Sequence, residues 1–218
     1  MTPVAVEPLP QAIEIVAVDE HFVIVDKPSG LLSVPGRGPD KQDCLSARVQ
    51  AEFPDALVVH RLDMETSGLM VFARGLDAQR AISRAFEQRA VSKYYVAVTL
   101  GLIEDDTGTI NLPLICDWPN RPRQIVDHLI GKAAMTHFNV ISRDAATQRT
   151  RVGLTPVTGR SHQLRVHLAS IGHPIIGDSL YAPTPPAAGV RLMLHAARLG
   201  FPHPVSGVSR EFSSVVPF

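Results

Sequence analysis

An α+β fold with a largely antiparallel, mixed sheet is what this sequence predicts. Three observations carry that expectation. Short β-branched and apolar runs outnumber helical patterns, tight turns rather than helices join many of them, and only three stretches keep a helical period. The 218 residues suffice for one domain with a real core. The expected layout is a single domain over residues 13–218, its sheet flanked by helices and loops, with residues 1–12 as a flexible extension.

The elements follow in chain order. Ile13–Val18 and Phe22–Val25 read as a hairpin about a polar Asp19-Glu20-His21. Lys27-Pro28-Ser29-Gly30 is a turn, because Pro presets φ and Gly accepts positive φ. Asp43 is the expected cap of a helix that Pro54 ends after Phe53. Leu57–Val59 and Gly68–Ala73 are strands on either side of a polar loop. Residues 77–89 form the clearest helix, with Asp77 as cap, Ala81, Ile82, Ala85 and Phe86 on one face, and Arg80, Arg84 and Arg89 largely on the other. Further strands are expected over Tyr94–Leu100, Thr109–Ile115, Ala134–Ile141, Thr150–Leu154 and Arg191–Leu199. A helix over Ser161–Ile171 starts near Thr158 and is closed by Gly172-His173-Pro174. Pro183–Gly189 is the one low-complexity patch.

Charge and composition narrow the function classes. Lys plus Arg and Asp plus Glu are 21 each, so the formal net charge is zero. At 45% apolar and 19% charged the chain is not disordered. No run reaches the roughly 18 apolar residues of a membrane span, and the first residues lack a signal-peptide pattern. Cys44 and Cys116 make no CxxC or zinc spacing, so they are expected as reduced thiols in a cytoplasmic protein. His60, His162, His167 and His195 match no known ligand set, so no metal is expected. The zero charge hides an asymmetry, with a net of −5 over residues 1–59 and +5 over 60–218. Of the cations 17 are Arg and 4 Lys. A guanidinium grips phosphate bidentately, but a GC-rich genome gives the same bias.

Two clusters are costly to explain as packing. His60-Arg61-Leu62-Asp63 lies between two apolar strands, so an Asp is presented on a tight loop beside an Arg. Such loops carry catalytic groups; a turn cap or a pair with Arg61 is the plainer explanation. In Thr158-Gly159-Arg160-Ser161-His162-Gln163-Leu164-Arg165-Val166-His167, Arg and His crowd the first turns of a helix. The helix dipole is already positive there, so an anion, either a phosphate or a buried carboxylate, is needed if they are held in place. The plainer alternative is that Arg160 and Arg165 point into water.

Together these clusters resemble a known family. His60-Arg61-Leu62-Asp63 with Thr66-Ser67-Gly68 is similar to the HRLDxxTSG signature of the RluA family of pseudouridine synthases. Asp26-Lys27-Pro28-Ser29-Gly30-Leu31 resembles its N/D-K-P-x-G-L segment. Thr158–Arg165 resembles TGRxHQ(I/L)R, Gly172–Asp178 resembles GHPIxGD, and Leu192–Ala196 resembles LxLHA. Five motifs stand in the family's order from about residue 13 to the end. The stretch from Leu112 to Pro122, with its WPNRP, further resembles the family's short members that lack an S4-like RNA-binding domain, and 218 residues leave no room for that domain.

The resemblance implies an enzyme that isomerises uridine in structured RNA, without cofactor or metal, in an active-site cleft across the sheet. It makes Asp63 the catalytic carboxylate, either a nucleophile at C1′ or a base at the sugar. It makes Arg165 the ion-pair partner that keeps Asp63 ionised against desolvation. Tyr95 is the tyrosine that stacks on the flipped base; Tyr94 takes the opposite face if the segment is a strand. Arg61 enters the space the flipped nucleotide leaves. His60, Thr66, Arg160 and His162 are further candidate RNA contacts, as are Arg121 and Arg123, for which a solvated loop is the equal alternative. The targets it implies are 23S rRNA and the anticodon stem-loop of tRNA, with a monomer as default and no membrane partner. Two other classes stay open: a non-catalytic RNA-binding protein, and a glycosidic hydrolase, which would normally need a second carboxylate.

Overall fold

The computed structural model describes residues 12–184, 186–187 and 189–218, apart from the side chain of Asp40. Most of the expected extension over residues 1–12, and part of the Pro183–Gly189 patch, lie outside the described residues. By their contacts the described residues divide into two compact units: 94–194 with Phe218, and 12–93 with 195–217.

The unit containing the first part of the chain is built on strands β1 (Glu14–Val18), β2 (Phe22–Lys27), β3 (Ala56–Val58), β4 (Ser67–Arg74), β11 (Leu194–Pro202) and β12 (Ser209–Ser213). They pair in the order β1-β2-β4-β11, with β12 on β11 and β3 on β4. All these pairs are antiparallel except β4 with β11, where Ser67 and Gly68 lie opposite His195 and Ala196. Residues 67–73 are buried throughout, as expected of a strand covered on both faces. Helix α2 (Leu76–Glu87) lays Ala78, Ile82 and Ala85 on Phe22, Ile24, Leu69, Val71, Leu199 and Phe201. Ile82 is fully buried, which contributes about 2–3 kcal/mol of transfer free energy. Helix α1 (Leu45–Glu52) buries Leu45 and Val49.

In the other unit, strands β5 (Ser92–Leu100), β10 (Arg149–Pro156), β9 (Met135–Asp144) and β6 (Thr107–Asn111) pair antiparallel in that order. A separate hairpin joins β7 (Leu114–Cys116) to β8 (Gln124–Val126). Helix α3 (Gln163–Ser170) places Leu164 and Leu168, one turn apart, in a cluster with Ala97, Val152, Leu154, Ile175 and Leu194. The α+β class therefore stands, with a mixed and mostly antiparallel strand arrangement.

Several boundaries differ from expectation for physical reasons. Asp43 does not cap α1; its carboxylate forks onto Arg48 at 2.6 and 2.7 Å, and the cap position falls on Cys44. Asp77 lies inside the first turn of α2, where its charge still suits the dipole, and pairs with Arg80 at 3.0 Å while Gly75 takes the cap position. The single strand expected over 109–115 is two strands, because Pro113 between them has no N–H to give a ladder. Helix α3 begins only at Gln163, since His162 before it is left-handed with φ 54°. The last long strand starts at Leu194 rather than Arg191, and β8 and β12 were not foreseen.

Candidate active site

Asp63 stands on the loop that links β3 to β4. Its own carbonyl accepts the Thr66 N–H at 3.1 Å, which closes a tight turn. The residues around it are fastened to the 27–33 segment. Lys27, completely buried, donates from Nζ to the carbonyls of Pro28, Leu31 and Met64 at 2.9, 2.7 and 2.8 Å. The Met64 carbonyl also takes the Gly30 N–H at 2.9 Å, and Ser29 Oγ donates to the Glu65 carbonyl at 2.6 Å. Ser33 Oγ donates to the Leu62 carbonyl at 2.6 Å and accepts the Leu62 N–H at 3.1 Å. The backbone is thus held at Leu62, Met64 and Glu65, on both sides of the half-buried Asp63.

A second network lies beneath the start of β4. Ser214 Oγ donates to Asp26 in a short hydrogen bond. Its one proton is then used, so His195 Nε2, 2.9 Å away, is the donor to Ser214. On the other side of the ring, His195 Nδ1 is hydrogen-bonded to Ser67 Oγ at 2.8 Å. Asp26, Ser67 and His195 belong to three of the motifs read from the sequence, and this network joins all three.

Of the neighbours of Asp63, Arg61 is exposed. His60 faces inward: its ring stacks on Phe86 at 4.8 Å and its Nε2 accepts the Val71 N–H at 3.1 Å. Burial, helped by the charge of Lys93, pushes the His60 pKa down to about 3, so the ring is neutral. Thr66 is 3% exposed and packed inside. The resemblance makes both candidate RNA contacts; the Thr66 side chain is enclosed, and the His60 ring packs on Phe86.

The other unit carries Tyr95 and Arg165. Tyr95 lies opposite Leu154 in the β5–β10 register and packs against the apolar cluster, whereas Tyr94 takes the other face and brings its hydroxyl over Gly153. Arg165, 3% exposed, forms a two-pronged pair with the fully buried Asp178, Nε to Oδ2 and Nη2 to Oδ1, both at 2.8 Å. Asp178 is thus a carboxylate of the kind the crowded cations of α3 demand. In the sequence it is only the last residue of GHPIIGD. Gln163 holds the helix start: its Oε1 accepts from the Thr158 hydroxyl and the Arg160 N–H, and its Nε2 donates to the Met135 carbonyl and Thr136 Oγ1. Thr158 therefore serves this junction rather than opening the helix.

His162 contacts Tyr181, with Nδ1 2.7 Å from the phenol oxygen. Arg160 is exposed and donates to the Ala133 carbonyl at 3.2 Å. Arg121 lies over Trp118, 4.6 Å from the ring centroid, and Arg123 over Tyr181 at 5.5 Å; both are exposed. So Arg123, His162 and Arg165 meet at Tyr181, which sequence reasoning did not single out.

The comparisons with known proteins agree with one another. The sequence model of RNA pseudouridylate synthases matches residues 21–170. The chain is 51% identical over 201 residues to the "Dual-specificity RNA pseudouridine synthase RluA" of Yersinia pestis, covering 92% of this chain and 97% of that one. It is 48% identical to the protein of that name from Escherichia coli (strain K12), over 92% of this chain and 91% of that one. The solved structure of Human RNA Pseudouridylate Synthase Domain Containing 1 is similar with a TM-score of 0.80 at 28% identity, covering 100% of this chain and 87% of that one. With the anchored Asp63 loop and the buried arginine of α3 in view, these likenesses lead to one conclusion: the chain belongs to the RNA pseudouridylate synthase family.

Proposed function

We propose that this RNA pseudouridine synthase acts on two RNA classes, 23S rRNA and the anticodon stem-loop of tRNA, with Asp63 as its catalytic carboxylate. The observation that carries the choice of Asp63 is its anchoring. Lys27, Ser29 and Ser33 fasten the backbone at Leu62, Met64 and Glu65, which suits a group that must meet one sugar carbon in one geometry. The reaction breaks the N1–C1′ bond, turns the uracil, forms C5–C1′ and moves the C5 proton. Its electron-poor sugar is stabilised by an anion.

Arg165 is the guanidinium that counters desolvation of that carboxylate. A guanidinium has five N–H donors, so a bidentate Asp178 does not exhaust it. Tyr95 is the residue that stacks on the displaced base, and Arg61 fills the space the nucleotide leaves. The exposed Arg121, Arg123 and Arg160, with His162 beside them, meet backbone phosphates. The dual choice rests on the resemblance of the 112–122 stretch and on relatives whose names say dual-specificity. The protein is expected to work in the cytoplasm as a monomer, without a cofactor. No described helix is long and apolar enough to cross a membrane.

Release of tritium from RNA labelled at uracil C5 tests the chemistry. Asp63→Asn should abolish release while RNA binding persists; full activity in that variant would overturn the assignment. Mapping pseudouridine in total RNA from cells lacking and regaining the protein tests the targets. A site lost from both rRNA and tRNA supports the dual reading, and a loss confined to one class rejects it.

A further inference from the structure

Tyr181 lies three residues beyond Asp178, and residues of β7, β8 and α3 converge on it. Its N–H donates to Asp178 Oδ1 at 3.0 Å, the oxygen that also accepts Arg165 Nη2 at 2.8 Å. Its ring carries the Arg165 guanidinium 5.3 Å from the centroid and that of Arg123 at 5.5 Å. Its hydroxyl oxygen accepts the N–H of Gln124, the first residue of β8, at 2.8 Å, and stands 2.7 Å from Nδ1 of His162, the residue that opens α3. The body of the ring packs on Leu114, Ala134 and Val166.

These contacts divide into two kinds. Gln124 offers only a donor, so the phenol oxygen accepts there, and it makes a second hydrogen bond with Nδ1 of His162 at 2.7 Å. The hydroxyl thereby ties the hairpin that bears Arg121 and Arg123 to the start of α3. The ring does something else. Asp178 fixes two Arg165 donors in one plane, and an aromatic face beside that plane restricts its tilt. We propose that Tyr181 is the positioning residue that couples the arginine-bearing β7–β8 hairpin to Arg165, its hydroxyl serving RNA binding and its ring serving turnover. This rests on the roles given above to Arg165 and to the hairpin.

Tyr181→Phe and Tyr181→Leu in the full chain separate the two parts. With a C5-tritiated anticodon stem-loop as substrate, Tyr181→Phe should raise KM about fivefold with kcat within about twofold, the effect of losing the hydroxyl's bonds to Gln124 and His162. Tyr181→Leu should lower kcat by about tenfold or more at saturating RNA, after correction for folded protein by circular dichroism. Both constants within twofold of wild type in both variants would overturn the proposal. So would a kcat that falls only in step with the folded fraction while KM stays fixed. If Tyr181→Leu does not fold, an unchanged KM in Tyr181→Phe overturns it alone.

The single tryptophan, Trp118, reports on the same hairpin without turnover. Its fluorescence anisotropy should fall in Tyr181→Phe without RNA, and an unchanged anisotropy would also overturn the coupling. A wild-type protein that releases no tritium from either RNA class would instead overturn the functional reading, while the anisotropy still decides the coupling.

Discussion

Lys27 donates from Nζ to the carbonyl oxygen of Met64 at 2.8 Å, across 37 residues of sequence. The same ammonium binds the carbonyls of Pro28 and Leu31, so one buried cation closes a turn and clamps the residue after Asp63 to it. Lys27→Met keeps the bulk and loses the donors. Three carbonyls then lose a charged hydrogen bond in the interior. Denaturant titration should show a loss of about 3 kcal/mol or more. Turnover by the remaining folded protein should also fall, because Asp63 is no longer held in place. A variant as stable as wild type would show that the three bonds contribute nothing net.

The Arg165–Asp178 pair makes a sharper demand. Both partners are essentially buried, so removing one leaves an uncompensated interior charge. Asp178→Asn should cost about 3–5 kcal/mol by chemical denaturation. Replacing both, as Arg165→Met with Asp178→Leu, should recover much of that stability while tritium release stays absent. Recovery of stability without activity would separate the pair's structural role from the role proposed for Arg165. Recovery of both would remove Arg165 from the reaction.

Much of this was legible because local chemistry repeats in three dimensions. The cations crowding the start of α3 already demanded an anion. What the chain could not reveal is which one, since Asp178 reaches Arg165 from 13 residues on, after the helix has ended. Lys27 looked like part of a turn motif, and nothing local says that a lysine is 0% exposed with its donors on three carbonyls. His60 is a candidate RNA contact as part of the HRLD motif, and nothing local says that its ring turns inward to Phe86 and Val71. Strand β12, Ser-Arg-Glu-Phe-Ser, escaped notice because a mostly exposed strand shows little apolar alternation.

Gly68 and Gly172 offer a controlled comparison. Both have positive φ, 111° and 86°. A Cβ at Gly68 would lie 2.4 Å from the Ala196 carbonyl oxygen and 2.5 Å from the Ala196 nitrogen, where β4 runs beside β11. A Cβ at Gly172 would meet nothing within 4 Å. Gly172→Ala should therefore cost only the backbone strain, about 1 kcal/mol. Gly68→Ala adds a backbone collision beneath the Asp63 loop and should cost at least about 3 kcal/mol more, or prevent folding. Equal thermal midpoints for the two variants would contradict the close approach of β4 and β11.

The half-buried, inward-facing His60 predicts how stability depends on pH. Its pKa falls from 6.5 to about 3 on folding, because burial opposes the charged form and Lys93 adds to that. The folded state therefore binds fewer protons than the unfolded state between these values. The contribution is fully present above about pH 6.5 and is lost as pH falls toward 3, with a slope approaching ~1.4 kcal/mol per pH unit. His167 adds in the same direction, since burial lowers its pKa as well, against a hydrogen bond to the Leu112 carbonyl that raises it. His60→Gln keeps an acceptor for the Val71 N–H but cannot titrate. Urea titrations at several pH values between 4 and 6 should give this variant a slope shallower by about one proton, near 1.4 kcal/mol per unit. At pH 8 it should be the less stable protein by about 1–2 kcal/mol, having lost the stack on Phe86. If both proteins lose stability equally with acid, His60 is protonated in the folded state, and its bond to Val71 cannot be the acceptor contact described above.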